Sequence, residues 1–119
     1  MNTILIVDDD KLMRDLIELA IKRADPKALV ISIGNPEIAM KMVKQINFSF
    51  AFVDWMLTED INGGKILNAI NNKCIKIVCT AKELTPEAQN EMLEAGAHGI
   101  FQKPLNLNQI VEVINGSKG

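Results

Sequence analysis

The chain has 119 residues, of which 48% are hydrophobic, and its 13 basic and 15 acidic side chains leave a net charge of −2. Such a length and apolar content predict one domain, spanning residues 1–119, with a core of its own. Interspersed charge argues against nucleic-acid binding by this chain alone, and no apolar run reaches the ~18 residues of a membrane span. With no basic-apolar leader either, a cytoplasmic protein is expected.

The first apolar run, residues 4–7 (ILIV), drives straight into Asp8, Asp9 and Asp10. One Asp is an ordinary strand stop or helix cap, but three exceed what a cap needs. Two carboxylates about 4 Å apart repel by roughly 4 kcal/mol at an effective dielectric near 20, so the triplet calls for solvent or a cation. Leu12, Leu16, Ala20 and Ala24, with Met13, Ile17 and Ile21, then recur at helical spacing. A second strand is expected over 28–33 (ALVISI). Asn35-Pro36-Glu37 combines a capping side chain, proline at the first helical position and a carboxylate in the first turn. The helix it opens carries Ile38, Met42 and Ile46 with Ala39 and Val43.

A third strand, 50–53, leads into Asp54 and the stretch DWMLTEDING, followed by a helix with Ile66, Leu67 and Ile70. The fourth strand is 75–79. Cys74 and Cys79 flank and end it as packed, reduced thiols whose spacing fits neither a zinc site nor a redox pair. Thr85-Pro86-Glu87 opens a fourth helix, with Gly96 as its stop. Strand 99–102 precedes Lys103-Pro104, and Leu107, Ile110, Val111 and Ile114 make a last helix before the polar tail GSKG. Trp55 is expected as a partly exposed packing residue, His98 as a surface loop residue, and the methionines as core filler.

Strand and helix alternating five times predict a parallel sheet with helices on both faces, joined by right-handed crossovers. Ligand chemistry in such folds gathers at the carboxyl ends of the strands. Asp8, Asp9, Asp54, Thr80 and Lys103 all stand there. Oxygen-only carboxylates suit Mg²⁺, and a lysine with a hydroxyl suits a phosphoryl group, so the pattern predicts a Mg²⁺ seat for a phosphate.

These residues carry a resemblance. VDD after the first strand, VDW at the third, CTA at the fourth and AGAHGIFQKPL around the fifth are similar to the response-regulator receiver domains of two-component signalling, of the chemotaxis-regulator type, from about Thr3 to Ile114. The resemblance implies an α/β, flavodoxin-like (βα)5 doubly wound sandwich with a five-stranded parallel sheet in the order 2-1-3-4-5. It implies that Asp54 accepts a phosphoryl group from a histidine kinase or histidine phosphotransfer protein, becoming an acyl phosphate. By the same resemblance Asp9 and Asp54 bind Mg²⁺ directly, Asp8 mostly through water, and the backbone carbonyl of Met56 completes the protein ligands. Thr80 and Lys103 hold phosphoryl oxygens, Thr80 and position 100 form the output switch, and the Lys103–Pro104 peptide is commonly cis. Met56 and Lys82 stand where the family controls access of water to the phosphoryl group. Asp10 has no family role and is read as the cap of the first helix.

Three departures from the family stand out. Thr58 occupies the place of a usual proline, DWMLTEDING is one residue longer with Asp60 as the extra, and Ile100 replaces a usual Tyr or Phe. Two other readings remain beside the first. One is a receiver-like module that binds its partner without phosphorylation. The other is a haloacid-dehalogenase-type phosphatase, with Asp8 as nucleophile and Asp10 as acid/base; it lacks the acidic pair expected after the lysine, since only Glu112 follows Lys103. The main reading is a phosphoryl-accepting switch that turns over no separate substrate, acts on an unidentified output partner, and is either a single-domain regulator or a receiver from a larger regulator or hybrid kinase.

Overall fold

Side chains along a strand point alternately to its two faces, so each apolar run must be covered on both. The computed structural model, which describes residues 1–58 and 60–116, shows how that is met. In chain order the elements are β1 (Thr3–Val7), α1 (Lys11–Ala24), β2 (Leu29–Ile33), α2 (Pro36–Val43), β3 (Phe50–Asp54), α3 (Gly63–Ala69), β4 (Ile75–Thr80), α4 (Pro86–Glu94), β5 (Gly99–Gln102) and α5 (Leu107–Gly116). The strands form one parallel sheet in the order β2-β1-β3-β4-β5. This is the doubly wound, flavodoxin-like arrangement expected. The last three residues of the polar tail, 117–119, and Glu59 of the long loop lie outside the described residues.

Leu5, Val7, Ala51, Val53 and Val78 pack beneath α2, α3 and α4 with Ala39, Ile66, Leu67 and Met92. Ile4, Ile6, Phe50, Phe52, Ile77 and Cys79 point the other way, against Ile17, Ile21, Ile110 and Ile114 of α1 and α5. Burial pushes both cysteine thiols up to about 12, against a smaller lowering by Lys76 at Cys74 and by Lys103 at Cys79, so both stay protonated and unreactive.

The helix starts follow their caps. Asp10 accepts from the N–H of Leu12, Asn35 from Glu37 and Ile38, Asn62 from Lys65, and Thr85 from Ala88. Beyond α4, Gly96 turns the chain at a φ of 112°, in the left-handed region that favours glycine. Two apolar stripes are narrower than the sequence suggests. Leu12 is 66% exposed and Ile38 51%, each one residue off the core-facing ridges Met13–Ile17–Ile21 and Ala39–Val43 and therefore turned by about 100°. Ile46 lies past the end of α2. Among the methionines Met92 is buried and Met13, Met40 and Met42 pack against the core, but Met1 and Met56 are exposed.

Lys76, one position into β4, is only 6% exposed. Its Nζ donates to the carbonyls of Leu67 at 2.9 Å and Ile70 at 3.3 Å, closing the C-terminus of α3 with a positive charge where the helix dipole favours one. Replacing Lys76 with Met keeps the aliphatic stem and removes both bonds. We expect a loss of about 2 kcal/mol in urea unfolding, and an unchanged midpoint would mean the ammonium contributes nothing. His98 is exposed, as expected of a loop residue, yet it has a structural role. Its Nδ1 accepts from the Lys76 N–H at 3.0 Å and its N–H donates to the Lys76 carbonyl at 2.7 Å, tying the approach to β5 onto β4.

Candidate functional site

Parallel strands in register deliver their last residues to one edge. Val7 pairs with Val53, Asp54 with Cys79, and Thr80 with Gln102, so Asp8, Asp9, Asp54, Thr80 and Lys103 meet at the carboxyl end of the sheet. One carboxylate oxygen from each of Asp8, Asp9 and Asp54 lies within 4.8 Å of the other two. Asp8 and Asp54 are buried and Asp9 is exposed.

Lys103 bridges the two buried acids. Its Nζ is 2.9 Å from Asp8 Oδ2 and 3.4 Å from Asp54 Oδ2. The other carboxylate oxygens take backbone donors: Asp10 N–H reaches Asp8 Oδ1 at 2.9 Å and Met56 N–H reaches Asp54 Oδ1 at 3.2 Å. Burial, and then the charge of Asp8, push the Asp54 carboxyl above its ordinary value, while Lys103 and the Met56 N–H pull less strongly the other way. For Lys103, burial favours the neutral amine, but the Asp8 hydrogen bond and the field of both carboxylates outweigh it and raise its pKa. Three carboxylates against one ammonium leave an edge rich in negative charge. A compact oxygen-only donor set of this kind fits a hard divalent cation.

Thr80 is fully buried; its Oγ1 accepts from the Lys82 N–H at 3.0 Å and its carbonyl from the Lys103 N–H at 2.7 Å. The Lys103–Pro104 peptide is cis. Met56 contributes its N–H to Asp54, whereas its side chain is 60% exposed and lines an open groove of about 310 Å³ with Trp55, Leu57, Thr58, Asn62 and Lys82. Trp55 is half-buried, as expected. Ile100 packs, half-buried, on the side of the sheet that α2, α3 and α4 cover.

The long loop after β3 is pinched shut by the residue that departs from proline. Thr58 donates from its N–H and its Oγ1 to the carbonyl of Ile61, at 3.0 and 3.1 Å, and its Oγ1 accepts the Ile61 N–H at 3.0 Å. Asp60 lies exposed just before Ile61. Gly63 then returns the chain with its N–H on the Trp55 carbonyl at 3.0 Å.

The family model for the response regulator receiver domain matches residues 4–115. The chain belongs to this family. Receivers are the phosphate-accepting signalling modules of two-component systems, which take phosphate from histidine kinases and act on output partners. No curated protein matches this receiver. Solved structures do. It is similar to the signal receiver domain of a DNA-binding response regulator from Colwellia psychrerythraea, with 24% identity, coverage of 99% of this chain and 98% of that one, and a TM-score of 0.87. A CheY-like receiver from Methanospirillum hungatei has 24% identity over 98% and 93% of the two chains with a TM-score of 0.84. The chemotaxis response regulator of Vibrio cholerae has 20% identity over 98% of each with a TM-score of 0.81. These likenesses establish the shared fold.

Residues that shape this receiver's site without a recognisable motif are Arg14, Gly34 and Gly63. Arg14 Nη1 donates to the Asp8 carbonyl at 2.8 Å, and a Cβ on Gly63 would fall 2.5 Å from the Asp54 carbonyl oxygen. The paired glycines after Asn62 were the one visible signal of such a close approach.

Proposed function

We propose that this receiver, as one unit over residues 1–119, takes a phosphoryl group onto Asp54 in a Mg²⁺-dependent step and so changes its affinity for an output partner. The donor is a histidine kinase or histidine phosphotransfer protein, met in the cytoplasm. The observation that carries the reading is the Lys103 ammonium between Asp8 and Asp54, at 2.9 and 3.4 Å, beside a cluster of three carboxylates. Asp9, Asp8, Asp54 and the carbonyl of Met56 would hold the cation. Mg²⁺, when bound, neutralises phosphoryl oxygens and offsets the repulsion among the acids.

An Asp54 oxygen forms the new P–O bond as the P–N bond to the donor imidazole breaks; the bonding pair, and then a proton, go to the departing nitrogen. Lys103, already charged, moves from carboxylate to phosphoryl oxygen. The Thr80 hydroxyl turns to another. Asp10 favours this reading over a phosphatase of the haloacid-dehalogenase type, because its carboxylate is engaged at 3.0 Å as the cap of α1. Intact-mass measurement after incubation with Mg²⁺ and acetyl phosphate tests the proposal. We expect a gain of one phosphoryl group that EDTA prevents, and a folded protein that gains nothing would leave only the phosphorylation-independent module standing.

Readout is expected to run through Thr80. A ligand shifts two states only by its differential affinity for them, and the Thr80 hydroxyl is the group that can leave the Lys82 N–H for the phosphoryl group. Ile100 is β-branched and changes little area whichever rotamer it takes. Thr80→Ala should bring the ratio of phosphorylated to unphosphorylated partner affinity close to one. Ile100→Ala should cost about 2 kcal/mol of stability and leave that ratio nearly intact. The reverse pattern in a binding assay would refute this route.

A further inference from the structure

Asp9 is the one carboxylate of the cluster that nothing holds directly: among the described residues it has no hydrogen-bond or ion-pair partner of its own. Asp8, by contrast, is held at every polar atom. Its N–H donates to the Ile33 carbonyl at 3.2 Å, its Oδ1 accepts from Asp10 and its Oδ2 from Lys103. Its carbonyl accepts from Arg14 Nη1 at 2.8 Å. Because the peptide group is planar, fixing that oxygen restrains the Asp8–Asp9 peptide, while the Asp10 N–H on Asp8 Oδ1 restrains the Asp9–Asp10 peptide; the two planes together set the direction in which the Asp9 side chain leaves the backbone.

Arg14 reaches this oxygen across the end of β2. It lies one turn into α1, its N–H bonded to the Asp10 carbonyl at 3.1 Å, and among the described residues it makes no ion pair. The guanidinium occupies the space that a side chain at position 34 would fill. A Cβ on Gly34 would lie 2.5 Å from Arg14 Nη1 and 3.2 Å from Cζ. Gly34 does not have a positive φ, so alanine there is compatible with the backbone and collides only with the end of Arg14.

We propose that Arg14, seated in the gap at Gly34, is a positioning residue for the acidic cluster: it fixes the Asp8–Asp9 peptide and so keeps the Asp9 carboxylate facing Asp8 and Asp54. The inference rests on the Mg²⁺ reading above. Removal of such an outer support of a metal ligand costs roughly 10-fold to 100-fold in affinity in other sites. A strut that served only folding would lower the melting temperature and leave the metal affinity alone.

The test uses the full chain with Arg14→Met, which keeps the packing stem, and Gly34→Ala, which leaves Arg14 in place chemically but displaces it. Mg²⁺ titration by calorimetry and by Trp55 fluorescence should show a Kd raised on the order of tenfold in each variant. The double variant should be no weaker than the weaker single one, since both act through one contact. Amide exchange at Asp10, whose N–H lies on Asp8 Oδ1, supplies a readout without metal and should quicken in both. If wild type responds to Mg²⁺ and Gly34→Ala binds it equally well, the inference falls and the metal reading survives. If wild type ignores Mg²⁺ while both variants speed Asp10 exchange, the metal reading falls and the positioning survives. Should Arg14→Met not fold, Gly34→Ala decides alone.

Discussion

Asn in place of Asp54 is expected to abolish phosphoryl acceptance and, in the absence of metal, to make the protein more stable at neutral pH. The loss follows from removing the nucleophilic oxygen; an amide cannot form the acyl phosphate. The gain follows from the electrostatics of the edge. Burial and the Asp8 charge raise the folded Asp54 carboxyl above its ordinary 3.8, so the folded state binds that proton more tightly than the unfolded chain does. Stability is therefore lost as pH rises from 3.8 through the folded value, and the penalty is complete above that value. The amide removes it, and Lys103 keeps Asp8 at 2.9 Å. Thermal melts at pH 7 should show Asp54→Asn above wild type without Mg²⁺, with the gap closing as Mg²⁺ is added. A variant that melts lower without metal would mean that the Lys103 contact at 3.4 Å outweighs burial and repulsion.

Gly63→Ala should damage both fold and function. The new Cβ would meet the Asp54 carbonyl oxygen at 2.5 Å and Trp55 Cα at 2.8 Å, both backbone atoms at the end of a central strand. No side chain can swing aside to relieve that contact, so either the loop or the end of β3 must move. We expect a loss of about 3 kcal/mol, near the upper end for overpacking, together with slower phosphorylation because Asp54 is carried on the displaced segment. Gly64→Ala is the control. Its Cβ would meet Asn62 Oδ1 at 3.1 Å and the Trp55 ring at 3.2 Å, looser contacts and with side chains rather than backbone. Urea unfolding that finds the two substitutions equally mild would contradict the close approach of Gly63 to β3.

The fold was legible because its signals are local and repeated. Five apolar runs, the Asn35-Pro36 and Thr85-Pro86 starts and the Gly96 stop each constrain backbone within a few residues. The polar strand ends were legible because parallel register brings successive strand termini together. What escaped depends on contacts between distant segments. Lys76 is a lone charge in an apolar run, and the period of two turns it the same way as Val78; that α3 ends over it is a tertiary fact. Leu12 and Ile38 fit a helical stripe, but which ridge faces the sheet is settled by packing. His98 was unreadable for the same reason, since its partner is the backbone of a neighbouring strand. Gly34 and Gly63 are visible as glycines, but what each makes room for is a side chain or a backbone far away in sequence.

The central claim is that Asp54, and no other carboxylate of the cluster, carries the phosphoryl group. Borohydride cleaves an aspartyl phosphate and leaves homoserine at the modified position. After incubation with Mg²⁺ and acetyl phosphate, reduction and peptide mass mapping should place homoserine at position 54 alone, with Asp8 and Asp9 intact. Homoserine at position 8 or 9 in the wild-type protein, with Asp54 unmodified, would contradict the account.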